Sequence, residues 1–290
     1  MTFRRFPLLA TAASLALGAA ATAAPLAAQT PATAPAAASA AAPKSTAPLP
    51  EARTLLDRYA KAVGGRDALA KHSSMHQTAV LEFAGAGIKA DLHIFTAKPN
   101  RMLTRMTIPG MGDISRGYDG TTGWSIEPTS GPMILGGKQL DQMRIESDFM
   151  GMMHDPKNYV STQTVGLVDF EGKPAYEVRL VRAGADTATE YFDPQTGLMV
   201  GLVRSTESAM GRMTVTGTVA DYKPFGGLLL PTHLTQRLAT GQQMSVTVSA
   251  VEFDAVPANT FELPAPIKAL AAAAPPAAAP ATATPPAKQK

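Results

Sequence analysis

Apolar and polar residues alternate with a period of two through most of the chain between Met75 and Phe253. Such alternation is typical of strands with one buried side and one solvent-facing side. In the first half it predicts strands at 75–83, 88–95 and 101–108. In the second half it predicts strands at about 161–168, 175–182, 188–192, 198–205, 212–222, 228–238 and 243–253.

The turn sequences between these strands indicate hairpins. Asp119-Gly120, Asp193-Pro194 and Gly226-Gly227 each lie between two alternating stretches, as in a strand, a tight turn and a strand. About a dozen strands joined in this way predict one large antiparallel sheet. A flat sheet of that size would expose too much apolar surface, so we expect strong curvature. Pro231 within 228–238 favours an edge strand or a bulge there.

Two segments follow a helical period instead. Residues 50–63 are amphipathic, with Pro50 suited to the first turn and Gly64 to the end of the helix. A short second helix is predicted from Arg66. The strand alternation then breaks between Gly131 and Asp155, where Leu140 and Met143 recur at helical spacing. We therefore predict a mainly β (α+β) fold, with an N-terminal helix and a central helix, or lid, at about 138–150 on the concave face of the sheet.

The first 28 residues have the features of a signal peptide. Arg4 and Arg5 precede an apolar stretch from Phe6 to about residue 20, and alanine-rich cleavage sites follow. The sequence favours export to the periplasm and cleavage, and leaves open whether the general secretory or the twin-arginine route is used. An uncleaved membrane anchor is the less favoured alternative, because a span needs about 20 strongly apolar residues.

Composition separates the folded part from its ends. Residues 29–49 and 266–290 are rich in alanine and proline and are predicted to be disordered, which leaves one domain at 50–265. The chain has no cysteine, so it contains neither a disulfide nor a lipid-modified cysteine, and the mature protein is expected to be soluble. Six of the 26 basic residues lie outside residues 51–265, leaving 20 basic against 23 acidic residues and a net charge of −3. This balance argues against a nucleic acid as the main partner.

Motifs that carry catalysis are absent from the sequence. There is no nucleophile elbow, because Gly123-Trp124-Ser125 continues without the final glycine, and there is no phosphate-binding loop or zinc-protease motif. His72 and His76 have a metal-ligand spacing only on a helix, and they span a predicted helix end and strand start. We predict no catalytic residue, no metal site and no cofactor.

The methionines give the clearest functional signal. Eight of the 14 lie between residues 102 and 153. Methionine is flexible and polarisable, so it fills ordinary cores and also lines surfaces that adapt to variable apolar ligands. Both interpretations stay open. The second predicts one apolar cavity, with a rigid indole wall, bordered by Met102, Met106, Trp124, Leu140, Met143, Phe149 and Met150.

Four segments carry a family resemblance: 56–65, 118–124, 191–198, and Asp221-Tyr222 together with Leu230-Pro231. On these segments, residues 50–264 resemble the superfamily of periplasmic lipoprotein carriers and receptors (LolA/LolB-like), in particular its outer-membrane lipoprotein-sorting protein-like members. Similar segments also occur beside insulinase-type peptidases. The resemblance implies an unclosed half-barrel with an apolar concave face and helices as a lid, in which classical members hold lipoprotein acyl chains. No acyl-binding motif transfers residue by residue.

Two functions are therefore expected. The first is a soluble periplasmic binding or carrier protein that holds a lipid or lipoprotein acyl chains without covalent chemistry. The second is a non-catalytic interaction module that partners an exported peptidase or another envelope protein. A continuous cavity between sheet and central helix favours the first, and a close-packed interior favours the second.

Overall fold

The computed structural model describes residues 48–182, 187–208, 211–238 and 241–273, together with the backbone of their strands and helices. The predicted signal peptide, the first part of the N-terminal linker and residues 274–290 lie outside the described residues. The strands are β1 (Ser74–Phe83), β2 (Ile88–Ala97), β3 (Arg101–Ile108), β4 (Gly112–Tyr118), β5 (Gly123–Glu127), β6 (Gly131–Ile134), β7 (Ser161–Phe170), β8 (Lys173–Val181), β9 (Ala188–Phe192), β10 (Met199–Ser208), β11 (Gly211–Phe225), β12 (Leu228–Leu238) and β13 (Gln243–Phe253).

All 13 strands belong to one antiparallel sheet in the order β6-β5-β4-β3-β2-β1-β13-β12-β11-β10-β9-β8-β7. Strands β1 to β6 run outward from the centre as one meander, and β7 to β13 run back from the opposite edge as a second. The two meanders join where β1 pairs with β13. Strands β6 and β7 end the sheet at opposite edges, so the sheet is an unclosed half-barrel and the predicted fold class is confirmed.

Within the described residues four α-helices accompany the sheet: α1 (Ala52–Ala62), α2 (Arg66–Ala70), α3 (Gly137–Glu146) and α4 (Ala265–Ala273). Helix α1 buries the predicted apolar stripe, with Leu55, Leu56 and Tyr59 at most 4% exposed. It ends before Gly64, which has a positive φ of 113°. A Cβ at Gly64 would lie only 2.7 Å from the carbonyl oxygen of Gly227. Glycine is required there by both the conformation and the space.

Strand register divides the side chains between two faces. The inner face carries Leu81, Leu92, Met106 and Val246, and helices α1 and α3 pack on the same side. The outer face carries the opposite set, including His76, Phe95 and Leu103. In both meanders the alternation seen in the sequence therefore corresponds to inner and outer positions.

Trp124 was predicted on the concave face, and this prediction is wrong. Tyr118 pairs with Gly123, so Trp124 pairs with Gly117, which itself pairs with Leu103 on the outer face. Trp124 is 4% exposed and packs there with Leu103, Phe261 and Ile267. The turn between β4 and β5 set this register, and the alternation within a single strand could not show it.

The cover over Trp124 comes from the C-terminal segment. A 3₁₀ helix at Ala258–Phe261 and helix α4 lie against the outer face, with Phe261 5% and Ile267 0% exposed. The tail predicted to be disordered from residue 266 therefore begins with a helix. Alanine is common in helices as well as in low-complexity linkers, so the alanine-rich composition did not distinguish the two. The buried side chain of Ile267 holds this helix against the sheet.

Pro231 lies within the sheet, but at a local edge. Strand β12 pairs with β11 as far as Leu228, whereas its pairing with β13 covers only His233–Arg237. At Pro231 the missing N–H therefore costs no hydrogen bond to β13. The prediction of an edge position is met locally, although β12 as a whole lies between two strands.

We predict a strong coupling between Gly117 and Trp124. A Cβ on Gly117 would lie 2.6 Å from the Trp124 ring, so Gly117→Ala is expected to destabilise the fold by about 1–3 kcal/mol through overpacking. Trp124→Ala is expected to cost about 3–5 kcal/mol. In the Trp124→Ala background the Gly117→Ala penalty should disappear, as measured by urea unfolding in a double-mutant cycle.

Gly136→Ala is the control for this cycle, because nothing lies within 4 Å of the position of its Cβ. Its effect should stay within about 1 kcal/mol in both backgrounds. An equal Gly117→Ala penalty with and without the indole would contradict the outer-face packing.

Candidate functional site

The segment that joins β6 to β7, residues 135–160, has to pass from one edge of the sheet to the other. We call it the bridging segment. It contains α3, the 3₁₀ helix Gly151–Met153 and a second 3₁₀ helix at Pro156–Asn158. Its buried side chains pack on the inner face, so the connection between the two edges also covers that face.

Helix α3 covers the end of the sheet near β6. Met143 is completely buried, and Leu140 packs beside it against Met102, Tyr118 and Leu135. Leu140 also approaches the backbone of β5, because a Cβ on Gly123 would lie 3.0 Å from the Leu140 Cδ1. Met102, Leu140 and Met143 therefore lie together in one cluster, and their role in a ligand cavity stays a prediction.

The second half of the bridging segment covers the other end of the inner face. Phe149 and Met153 are buried with helix α1 and with Val178 and Phe192 of β8 and β9, while Met150 packs at the margin of the same cluster. The amide N–H of Phe149 donates to the carbonyl oxygen of Pro99, at 3.2 Å. Phe149 and Met150 therefore belong to a different cluster from Met143.

Met106 belongs to a third cluster on the inner face. Among the described residues, this cluster consists of strand side chains only, such as Leu81 and Leu92 near Met106, and Leu238 and Val246 from the second meander. Its members include residues from the sequence-distant strands β3 and β12, as expected for a strongly curved sheet. The predicted set of seven residues is thus divided among three inner-face clusters, with Trp124 on the other face. A single cavity that joins the inner-face members stays a prediction.

Two buried polar contacts tie the bridging segment to the sheet. Glu146 at the end of α3 faces Arg116 of β4, with 3.5 Å between Oε2 and Nη1, and its side chain is 2% exposed. His154 follows the 3₁₀ helix Gly151–Met153, and its Nε2 lies 2.7 Å from Oε2 of Glu190 on β9. One contact therefore joins the segment to the first meander and the other joins it to the second.

The His154 ring is held from both sides. Its Nδ1 lies 3.1 Å from the carbonyl oxygen of Met152, and its Nε2 faces Glu190. The residue has a left-handed backbone, with a φ of 50°, which is uncommon outside glycine. The Tyr59 ring meets the His154 ring edge-on at a centroid distance of 5.3 Å. Helix α1, the bridging segment and β9 therefore meet at this histidine.

Charges near Glu190 keep its carboxylate ionised. Burial alone would raise the pKa of Glu190, but the charge and hydrogen bond of His154, with Arg204 and Arg182 nearby, hold it below the usual value. Burial and the nearby Glu190 charge raise the pKa of Tyr159 to about 12. The Arg182 guanidinium donates to the Tyr159 hydroxyl at 2.9 Å and lies over its ring. The arrangement is a buried charged cluster with neutral tyrosines around it.

Neither contact is apparent from the sequence alone. Glu146 is one of several charged residues in the predicted helix at 138–150, and His154 lies beyond the end of that helix. A signal was present, because Glu190 occupies an inward position in the alternation Glu190-Tyr191-Phe192, where an apolar residue would be expected. An inward carboxylate needs a partner, but its sequence position does not identify the partner.

No group of three or more metal-ligating side chains that could hold an ion occurs within the described ranges. The His72 ring has two polar contacts. Its Nδ1 lies 2.7 Å from Oδ2 of Asp254, and its Nε2 lies 2.9 Å from the carbonyl oxygen of Gly226. These contacts connect the segment after α2 to the end of β13 and to the turn between β11 and β12. None of the described helices is long and apolar enough to cross a membrane.

Comparison with solved structures identifies the fold. A LolA superfamily protein from Nitrosomonas europaea superimposes with a TM-score of 0.52 at 13% identity, covering 74% of this chain and 99% of that chain. An outer membrane lipoprotein-sorting protein domain from Vibrio parahaemolyticus gives 0.50 at 11% identity, covering 72% and 94%. A DUF1329 family protein from Desulfovibrio piger gives 0.51 at 10% identity, covering 73% and 97%.

This chain has the fold of LolA-like proteins. The resemblance seen in the sequence is thereby confirmed for the fold. No family model matches the sequence, and no curated protein matches it significantly. At identities of 10–13% the likeness concerns the architecture of the half-barrel and leaves ligand and activity to be argued from the site.

We predict that the Glu190 contact stabilises the fold in a pH-dependent way. Because the pKa of Glu190 is lowered on folding, its contribution is present above the unfolded value of about 4.3 and is lost as the pH falls through the folded value. Glu190→Gln is expected to cost about 1.5–3 kcal/mol at neutral pH. The difference from wild type, measured by urea unfolding, should shrink steadily below about pH 4.

Glu177→Gln is the matched control, because Glu177 lies on the outer side of the neighbouring strand β8, paired with Tyr191. It is expected to change the unfolding free energy by less than about 0.5 kcal/mol. A Glu190→Gln difference that stays constant from pH 7 to pH 3 would show that the carboxylate charge is not involved.

Proposed function

We propose that the protein binds an apolar ligand, such as a lipid or lipoprotein acyl chains, between the bridging segment and the inner face of the sheet, and carries it without covalent chemistry. The observation that supports this most strongly is the position of the bridging segment. It lies across the inner face of a LolA-like half-barrel, and its movement would expose the apolar side chains of the two inner-face clusters that it covers.

The composition of that surface fits a chain-like ligand. The three inner-face clusters contain flexible methionine side chains, namely Met102, Met106, Met143 and Met153, which adapt to different shapes. Each methylene of an acyl chain buried there would contribute about 0.8 kcal/mol. The proposed role requires no catalytic residue, no metal and no cofactor.

The cover provided by α3 is suited to opening. Only Met143 and Glu146 of this ten-residue helix are buried, whereas α1 buries five of its residues. Helix α3 therefore has less apolar area to expose when it moves than α1 would have. We propose that α3 and the residues up to His154 act as a lid, while α1 stays fixed.

We place this activity in the periplasm, after export and removal of residues 1–28. The signal-peptide features of the sequence support this location. In that compartment an apolar cargo needs a protein cover to cross an aqueous space.

An interaction module without a ligand is the second candidate, and one observation favours it. The side chains of Met102, Met106, Met143 and Phe149 are at most 6% exposed, so the interior is covered in this conformation. In that case the envelope partner would bind the outside of the half-barrel, and the bridging segment would be a permanent part of the core.

Met143→Asp distinguishes the two candidates. If the bridging segment is a lid, the wild type should take up a fluorescent fatty-acid probe. The variant should lose uptake by at least about tenfold, because a charge is placed on the apolar surface, while the far-UV circular dichroism of the sheet is retained. Met111→Asp is the matched control, since Met111 is 41% exposed at the turn between β3 and β4, and it should take up the probe normally.

Native mass spectrometry of the protein purified from its periplasm provides the second measurement. Co-purified lipid in the wild type, and its loss in Met143→Asp, would support the carrier. If the wild type takes up no probe and carries no lipid, and if Met143→Asp unfolds, the interaction module is the correct function.

A further inference from the structure

The two edges of the sheet are protected very differently. Strand β6 has four residues, contains Pro132 and lies beside helix α4. Strand β7 has ten residues and has no neighbouring strand on its outer side among the described residues. Proteins normally shield a long edge strand with charge, proline or a covering element, because its free N–H and C=O groups pair with other strands.

Strand β7 has little of this shielding. Its sequence, Ser-Thr-Gln-Thr-Val-Gly-Leu-Val-Asp-Phe, contains a single charged residue, Asp169, and no proline. Exposed apolar side chains cluster on and beside it: Val165 is 38% exposed, Leu167 37% and Val160 69%. Leu49, 44% exposed, adds to them, because the carbonyl oxygen of the next residue, Pro50, accepts a hydrogen bond from Thr164 at 2.7 Å.

We propose that β7 is a homodimerisation edge, at which two copies of this chain pair antiparallel to form one continuous sheet. This proposal does not depend on the ligand. A two-fold symmetric pairing uses the same edge twice and closes the assembly, which a head-to-tail pairing of β7 with β6 would not do. The β6 edge is in any case short, contains Pro132 and contacts α4.

The bulge in β7 determines the register of this pairing. It lies between Thr164 and Gly166 and shifts the alternation by one residue, so Thr162 and Thr164 share the inner face with Leu167. A two-fold axis between Val165 and Gly166 keeps inner residues opposite inner residues. It places Leu167 opposite Thr164 of the second copy, and Asp169 opposite Thr162.

This register also satisfies the electrostatics. The two Asp169 carboxylates would lie roughly 20 Å apart along the strands, which exceeds the screening length of about 8 Å at physiological salt. No other charge lies on the strand. The apolar side chains of Val165 and Leu167 lie near the two-fold axis, and the two Asp169 carboxylates lie near the ends without a like charge opposite them. This pattern is self-complementary, as pairing with a second copy requires.

The chain's own N-terminal linker fits the edge less well. It leaves the domain beside β7 at Pro50, but Pro31, Pro35 and Pro43 lack the N–H that a paired strand donates, and its many alanines have low strand propensity. A strand of a different protein would bind by the same backbone pairing. Both alternatives are distinguished by the experiment below.

Sedimentation velocity of the full chain over about 1–100 μM tests the proposal, since this range covers weak protein interfaces. We expect a concentration-dependent dimer. Leu167→Lys and Val165→Lys should each weaken it by at least about tenfold, because lysine on an edge opposes pairing. Met111→Lys, at an exposed turn far along the chain, should dimerise as the wild type does, and all three variants should keep the wild-type circular dichroism.

Amide hydrogen exchange gives an independent readout for the β7 amides within Ser161–Phe170 that face away from β8. The amides on the other side are left out because they already pair with β8. Protection that rises with protein concentration supports dimerisation through β7. If the wild type stays monomeric and these β7 amides are unprotected, the proposal is wrong, and a strand of a different protein becomes the expected partner of the edge. A monomer with β7 amides protected at every concentration overturns it in favour of the linker, and a dimer that neither lysine variant weakens overturns it in favour of another surface.

Discussion

The inner face of this half-barrel has to be covered, and the rest of the structure depends on that requirement. Thirteen strands in a single sheet present a large apolar surface, and an open sheet cannot bury it by closure as a barrel does. The strand order supplies one cover. Because β6 and β7 end the sheet at opposite edges, the chain between them must cross it, and it crosses on the apolar side. Topology thus places the bridging segment where a lid would be needed.

Apolar packing and buried charge have different roles in holding that segment. Met143, Phe149 and Met153 supply burial, which has no direction and would tolerate sliding along the surface. The contacts of Glu146 with Arg116, and of His154 with Glu190, fix where the segment lies. Buried ion pairs add little net stability compared with apolar residues, because desolvation opposes their attraction. Their value in this fold is positional, and a segment held by a few directional contacts can be released when they break.

The outer face and the edges determine how the half-barrel meets other molecules. Near β6, the C-terminal helix α4 packs over Trp124 and contacts the short edge strand. Residues of this chain therefore protect that end of the sheet. Near β7, the edge is long, almost uncharged and partly apolar. The same chain therefore has one protected edge, at β6, and one open edge, at β7, and the open edge is the one farther along the sheet from α3. The proposed binding of an apolar ligand under α3 and the proposed pairing of copies along β7 would use separate surfaces.

The sequence by itself determined most of the strands, helix α1 and the broad fold class, because period-two and helical alternation are local properties of the chain. It missed β6, because Gly131–Ile134 lies where the alternation breaks. It also indicated that Met102, Leu140 and Met143 lie on apolar faces. It did not determine that Trp124 lies on the outer face, because the register across the turn between β4 and β5 decides this and alternation within one strand does not. Helix α4 was missed because one buried isoleucine among alanines gains its significance only from the surface it meets. The partners of Glu146 and Glu190 were beyond reach for the same reason. A buried carboxylate shows in the sequence only as an irregular position, and the arginine or histidine that compensates its charge is brought to it by tertiary structure alone.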